Sequence, residues 1–157
     1  MGTAEELLFG RYKSEELADI FSFLSAEEMG ELFAYLEFRE WQPAEIVMKS
    51  GDPGDFMGFL VAGKLAVKME GIFPDKFILV AVLERGSLVG EISVVEGGCR
   101  HATVVATEQS QLLILTRENM ELMLVRSPAL GLKFFRRIIH VLGHRLGKAS
   151  DRLSRLL

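Results

Sequence analysis

The chain has 157 residues, 49% of them apolar and 25% charged, with a formal net charge of −4. That length suits one domain with a sizeable core, and the apolar content excludes a disordered tail. The longest apolar run, Phe77 to Leu83, has seven residues, far short of the roughly 20 that span a bilayer. A single cysteine, Cys99, excludes an internal disulfide and a cysteine-rich zinc site.

The opening Met1-Gly2-Thr3-Ala4-Glu5-Glu6 is acidic and lacks the basic-then-apolar pattern of a secretory signal. Glu6 also stands where a myristoylation signal carries Ser or Thr. These features describe a cytoplasmic soluble domain. Residues 1–42 read as a helical lead-in. Glu15, Leu17, Ile20, Phe21 and Leu24 recur at helix spacing, with Ser14 as a cap. Ser25-Ala26-Glu27-Glu28 starts a second helix: an N-cap, then acids in the first turn, where the helix dipole favours them. Met29, Leu32, Phe33 and Leu36 supply its apolar face.

From Pro43 to about Thr116 the pattern changes to short apolar stretches separated by turn residues. The turns fall at Gly51-Asp52-Pro53-Gly54-Asp55, Gly63-Lys64, Gly71 to Asp75, Glu84-Arg85-Gly86 and Gly97-Gly98. Many short strands with regular turns predict a β-sandwich or barrel. Helix returns at Arg117, breaks near Ser127-Pro128 and runs to the C-terminus, with Pro128 in the first turn of the last helix. Residues 1–157 thus read as a single α+β domain: helical lead-in 1–42, β-barrel 43–116, C-terminal helices 117–157.

Charge is uneven along this plan. Residues 128–157 hold seven Lys or Arg against one acid, Asp151, a local charge of +6 that leaves −10 on the remainder. Such a basic helix is either a solvated face or a surface for nucleic acid or anionic lipid. The same helix carries Leu132, Phe135, Ile139, Leu142, Leu146, Ala149, Leu153 and Leu156 at alternating spacings of three and four. That heptad seam predicts a coiled coil with a second helix, hence a homodimer. Gly143 and Gly147 each cost about 1 kcal/mol of helix stability and predict a pliable middle.

Three chemical motifs fail. Gly58 to Leu65 nearly spells a nucleotide-triphosphate loop, but Leu65 stands where a magnesium-binding hydroxyl is needed, and the flanks read as strands. His140 and His144 lie one helical turn apart with no third ligand, so no metal is expected. Cys99 and His101, near neighbours on an extended segment, make a poor nucleophile pair. No catalytic constellation remains, and the chain is expected not to be an enzyme.

The informative stretch is Gly90-Glu91-Ile92-Ser93-Val94-Val95-Glu96-Gly97-Gly98-Cys99-Arg100-His101-Ala102-Thr103. A Gly-Glu-aliphatic turn followed by Arg-x-Ala-Thr resembles the phosphate-binding cassette of the cyclic nucleotide-binding domain family. Gly51-Asp52-Pro53-Gly54-Asp55 with Phe59-Leu60-Val61 and Gly63 resembles that family's turn and hairpin. The resemblance covers roughly residues 16–157. It implies an eight-stranded antiparallel β jelly-roll barrel with N-terminal helices and a long C-terminal dimerisation helix, and a ligand, cAMP or cGMP, with no further cofactor.

The residues fit this chemistry. A cyclic phosphodiester carries one negative charge, which one buried Arg balances through two hydrogen bonds; Arg100 is the only Lys or Arg between Gly86 and Glu108. Gly90 permits close backbone approach, and the turn after it opens a short helix whose free N–H groups face the phosphate. The family gives the Glu91 position to the ribose 2′-hydroxyl. Gly90, Glu91, Ile92, Arg100, His101 and Ala102 are therefore the implied ligand-binding residues. Val67, Val80 and Leu83 are implied to line the base, with Leu142, Arg145 and Leu146 of the last helix over it and Arg145 as a stacking lid.

The chain departs from the family at Cys99 (often Pro), at Gly58 (often Tyr or Phe) and at His101 (commonly Ala, or Ser/Thr in many cGMP binders). The balance favours cAMP. No recognition helix, channel segment, kinase or cyclase motif is read, so the expected role is a sensor that signals occupancy through its C-terminal helix to an unidentified effector. The alternatives are a pure dimerisation module, or nucleic-acid or membrane binding through the basic helix.

Overall fold

The lead-in shows how local chemistry sets the architecture. A computed structural model describes residues 14–157 with the exception of Pro74. The helical character expected of residues 1–13 and the terminal acidic segment lie outside the described residues, as does the side chain of Ser14, on which its cap role rests. Helix α1 (Ser14–Leu17) is a single turn. The helix expected to continue to Leu24 gives way to turns in which Ile20 N–H donates to Leu17 O and Leu24 N–H to Phe21 O. These tight bonds keep Leu17, Ile20 and Phe21 on one buried side without a regular helix. Helix α2 (Ala26–Phe33) starts in a capping box: Glu28 N–H donates to Ser25 Oγ, and Ser25 N–H to the Glu28 carboxylate.

Strands β1 (Glu37–Trp41), β8 (Ser110–Thr116), β3 (Phe56–Ala62) and β6 (Leu88–Val89) form one antiparallel sheet in that order. Strands β2 (Ile46–Met48), β7 (Thr103–Ala106), β4 (Leu65–Glu70) and β5 (Phe77–Leu83) form the second. Neither sheet closes on itself. Strand β1 lies in the stretch expected to be helical lead-in. Its sequence, Glu-Phe-Arg-Glu-Trp, lacks a strong apolar alternation because β1 is an edge, paired only with β8 and mostly exposed.

Strands β3 and β8 are covered on both faces, which explains their unbroken apolar runs. Met57, Phe59, Val61, Leu113 and Leu115 join the helices in one core; Leu60, Leu112 and Ile114 join Met48, Leu65, Val89 and Val104 in a second core between the sheets. Gly58 belongs to this tight layer. A Cβ there would stand 2.7 Å from Leu112 Cδ2 and 3.1 Å from Ile114 Cδ1, so glycine fills a place with no room for an aromatic ring. Gly63, at φ 99°, turns β3 into β4 against Ser110 and Gln109, so the near-match to a triphosphate loop is a β-hairpin.

Helix α3 (Glu91–Glu96) follows β6. Helix α4 (Arg117–Arg126) is capped by Thr116, whose hydroxyl accepts from Asn119 N–H. Helix α5 (Pro128–Leu156) runs 29 residues without a break, glycines 143 and 147 included. It is seated on the core by Leu130, Phe134 and Ile138, with the Phe134 ring edge-on to Phe59. Among the described residues no helix is long and apolar enough to cross a membrane.

Candidate functional site

The site begins with a glycine that only a glycine can replace. Gly90 adopts φ 79°, and a Cβ on it would lie 2.6 Å from Met48 Cε and 2.7 Å from Arg100 Nη1. This left-handed residue turns β6 into α3 and, having no side chain, leaves the first-turn N–H groups of α3 without a side-chain cap.

Arg100 reaches toward this turn from the segment before β7. Its side chain is only 4% exposed. Nη1 donates to Gly90 O at 3.0 Å and to Ser93 Oγ at 2.9 Å, Nη2 donates to Phe56 O, and the guanidinium lies 4.8 Å from the centre of the Phe56 ring. Three of its five N–H groups are thereby used, all on neutral acceptors. Its ion-pair partner is Asp55, whose Oδ1 stands 3.8 Å from Nη2 and whose side chain is solvent-exposed. Burial pushes the Arg100 pKa below its ordinary value, opposed by the Asp55 and Glu91 carboxylates.

The turn at residues 51–55 supports Arg100 from behind. Arg100 N–H donates to Asp52 O at 2.8 Å, Gly51 N–H to Arg100 O at 2.9 Å, and Gly54 N–H to Gly98 O at 3.0 Å. A Cβ on Gly54 would collide with Ser93 Oγ at 2.4 Å. The two motifs read separately in the sequence are one hydrogen-bonded unit.

Glu91, the first residue of α3, is also buried, its side chain 4% exposed. It pairs with Arg145 of α5 rather than with Arg100: Arg145 Nη1 donates to Glu91 Oε1 at 2.7 Å, and Nη2 donates to Leu88 O. A cavity of about 260 Å³ opens between these groups. Gly90, Glu91, Ile92, Arg100, His101, Ala102, Val67, Val80, Leu83 and Arg145 all line it.

Leu142 and Leu146 do not. Leu142 packs against the helical core and Leu146 is 68% exposed. With 3.6 residues per turn, the face that brings Arg145 to the cavity rotates its neighbour Leu146 by about 100° away from it. Met48, Ala81, Leu88, Val89, Ser93 and Val104 also line the cavity. Ser93 was legible as a polar residue one turn into α3, while the apolar five carry no signal separable from ordinary core. Cys99 is exposed, bridged through its backbone to Pro53. His140 and His144 sit exposed on α5, and among the described residues no three His, Cys, Asp or Glu side chains form a metal cluster.

A buried guanidinium and a buried carboxylate both line this largely apolar cavity, an arrangement able to offer donors to an anionic group and an acceptor to a hydroxyl. The sequence profile of the cyclic nucleotide-binding domain matches residues 38–127. The chain belongs to that family. It is 25% identical to a crystallised cyclic nucleotide-binding domain from Methylobacillus flagellatus, with a TM-score of 0.86 over 100% of this chain and 88% of the other. It is 27% identical to the catabolite activator protein of Thermus thermophilus in its crystal structure, with a TM-score of 0.73 over 87% of this chain and 62% of that one. Among curated sequences it is 28% identical to the cyclic AMP receptor protein of Thermus thermophilus over 69% of this chain and 50% of that protein. A candidate potassium channel protein of Rhodopseudomonas palustris is 27% identical over 73% of this chain and 27% of its own length. The chain thus spans from about a quarter to a half of the curated relatives it matches.

Proposed function

We propose that the chain is a regulatory sensor that binds a cyclic nucleotide in the 260 Å³ cavity, with the phosphate on Arg100 and the ribose 2′-hydroxyl on Glu91. The carrying observation is the state of Arg100: a buried cation held by neutral acceptors, whose carboxylate partner stands 3.8 Å away and faces solvent. A cyclic phosphodiester brings one negative charge to that cation, and Nε–H and the second Nη2–H are the donors left to meet it. Gly90 lets the phosphate approach the backbone. Val67, Val80 and Leu83 give the base an apolar wall. The ligand assigned is cAMP, in line with the naming of the Thermus relative. In this reading residues 1–157 are one domain, a cytoplasmic binding module rather than an enzyme, whose two open sheets are the halves of a jelly roll.

The same reading makes the chain a homodimer that transmits occupancy through α5. Leu132, Ile139, Leu146 and Leu153, seven residues apart, form an exposed apolar column along the helix. The other half of the seam begins with Phe135 and Leu142, which pack on the chain's own core. Arg145 joins the helix to Glu91, so a ligand hydroxyl at Glu91 meets a carboxylate that α5 already holds.

Titration calorimetry with cAMP, cGMP and linear AMP tests the ligand. Binding of a cyclic nucleotide well below millimolar, with linear AMP much weaker, is the expected result. Failure of both cyclic nucleotides to bind below about 1 mM, or −4.1 kcal/mol, overturns the assignment.

A further inference from the structure

A second recess lies beside the nucleotide cavity. A groove of about 610 Å³ runs between β5 and α5. One wall is Val80 to Leu83, four consecutive residues of β5; the other carries Arg137, His140, His144, Arg145, Lys148 and Arg152 of α5. Among the described residues none of its lining side chains is acidic. We propose that this groove docks an extended acidic segment of a partner protein, which pairs with the open edge of β5 while its carboxylates meet the cations of α5.

Two observations carry this. First, β5 ends its sheet and is hydrogen-bonded to β4 alone. Its residues do not alternate between buried and exposed: Phe77 to Val80 and Val82 are all exposed, with Ala81 and Leu83 half-buried. An apolar strand with a free edge is a template for another strand. Second, the cations facing that edge lack counter-charges. Among the described residues Arg137, Lys148 and Arg152 make no ion pair; Arg137 lies over the Phe23 ring, and Arg145 alone is matched, by Glu91. The cationic stretch from Arg137 to Arg152 rises about 22 Å, and the four β5 residues that wall the groove span roughly 14 Å of it.

The groove favours polypeptide over the other anions. A nucleic-acid backbone or an anionic bilayer would satisfy the cations but leave the N–H and C=O groups of β5 unpaired. A second copy docking through its own α5 is a poor occupant, because that helix carries the same positive charge. The dimer seam also points elsewhere: nine residues separate Ile139 from Lys148, a rotation of about 180° around the helix. A partner on the seam and a segment in the groove occupy opposite faces of α5.

The test is fluorescence anisotropy with the full chain and a labelled peptide alternating Val and Glu over about eight residues, enough to span β5 at ~3.4 Å per residue. Binding that weakens with salt, and weakens at least about tenfold in the double variant Arg137→Glu/Lys148→Glu, is expected; neither residue touches the nucleotide cavity, so unchanged cAMP binding reports that the variant is folded. The same peptide with alternate backbone nitrogens methylated, which cannot pair with a strand edge, should lose binding. Equal binding of the methylated peptide overturns the proposal in favour of a simple polyanion surface. So does tighter binding of duplex DNA or phosphatidylserine vesicles than of the peptide. No peptide binding by the wild-type chain overturns it outright.

Discussion

Glu91 and Arg145, 54 residues apart in sequence, meet at 2.7 Å in the wall of the cavity that both line. This contact ties the first turn of α3 to the middle of α5. It also divides the labour of the two buried ionic groups: Arg100 bonds inward to Gly90 and Ser93, while Glu91 bonds outward to the long helix.

Arg100→Ala should weaken cAMP binding by about 3–5 kcal/mol, because it leaves a buried phosphate charge without its partner. At 1.4 kcal/mol per decade that is roughly two to four powers of ten. Arg100→Lys should recover only part, since an ammonium keeps the charge and loses the fork that spans Gly90 O, Ser93 Oγ and Phe56 O. Calorimetry checks both, and equal affinity for Arg100→Ala refutes the assignment.

Glu91→Ala should cost less, about 1–3 kcal/mol of affinity, as the loss of a charged hydrogen bond to a neutral hydroxyl. It should also erase discrimination between cAMP and 2′-deoxy-cAMP, which Arg100→Ala leaves intact. Discrimination that survives Glu91→Ala places the ribose elsewhere.

Gly58→Phe introduces the aromatic that the family resemblance implies at this position, and it should destabilise this chain. A Cβ at that point already meets Leu112 at 2.7 Å, and overpacking a filled core costs about 1–3 kcal/mol. Urea unfolding measures it; a gain in stability would mean that Leu112 and Ile114 move aside freely.

Glu28 predicts the acid limb of stability. Lys133 Nζ donates to its carboxylate at 2.7 Å and Ser25 N–H at 3.0 Å, holding its pKa down at about 2 from an ordinary 4.5. The folded pKa lies below the unfolded one, so the folded chain binds fewer protons. The stabilisation is present above about pH 4.5 and is lost as pH falls toward 2. Glu28→Gln should flatten the fall in melting temperature across that window, and an identical pH profile would exclude the role.

Leu146→Asp should turn a dimer into a monomer. Leu146 is exposed in the single chain, so the substitution spares the fold and buries a carboxylate only where two seams meet. Light scattering across a concentration series reads the outcome. A wild-type chain that stays monomeric at high concentration removes the coiled coil.

Much of this was legible in the sequence where backbone geometry demands particular residues. Gly90 before Glu91, Arg100 before Ala102-Thr103, and the Gly51–Asp55 turn pointed to residues that the fold gathers at one cavity, because few residues fit a left-handed turn and a buried arginine is seldom only structural. Ser25 and Glu28 announced a helix start for the same reason. Strand β1 was hidden because an edge strand needs no apolar alternation. The turns after Leu17 were hidden because their hydrogen bonds bury the same side chains a helix would. Leu142 and Leu146, expected beside the cavity, do not line it, because a seam read as one stripe is shared between the core and an exposed column. The pairing of Glu91 with Arg145, and the absence of room at Gly58, depend on contacts between distant segments, which no local pattern encodes.

The buried residues of the 29-residue α5 all lie in its first half, and beyond Ile138 the helix is held by Leu142, which packs at the edge of the core, and by the Arg145–Glu91 pair. Its last fully buried residue is Ile138, and the 18 residues from there to Leu156 extend about 27 Å at 1.5 Å each. Arg145 sits seven residues along that arm, close to its fulcrum. A tilt of about 10° pivoting at Ile138 carries Arg145 through about 2 Å, comparable with the making or breaking of one ion pair, and carries Leu156 through about 5 Å. Under the proposed sensor reading this geometry makes the helix a lever: an adjustment the size of one hydrogen bond at Glu91 becomes, at the far end, a displacement larger than a side-chain contact.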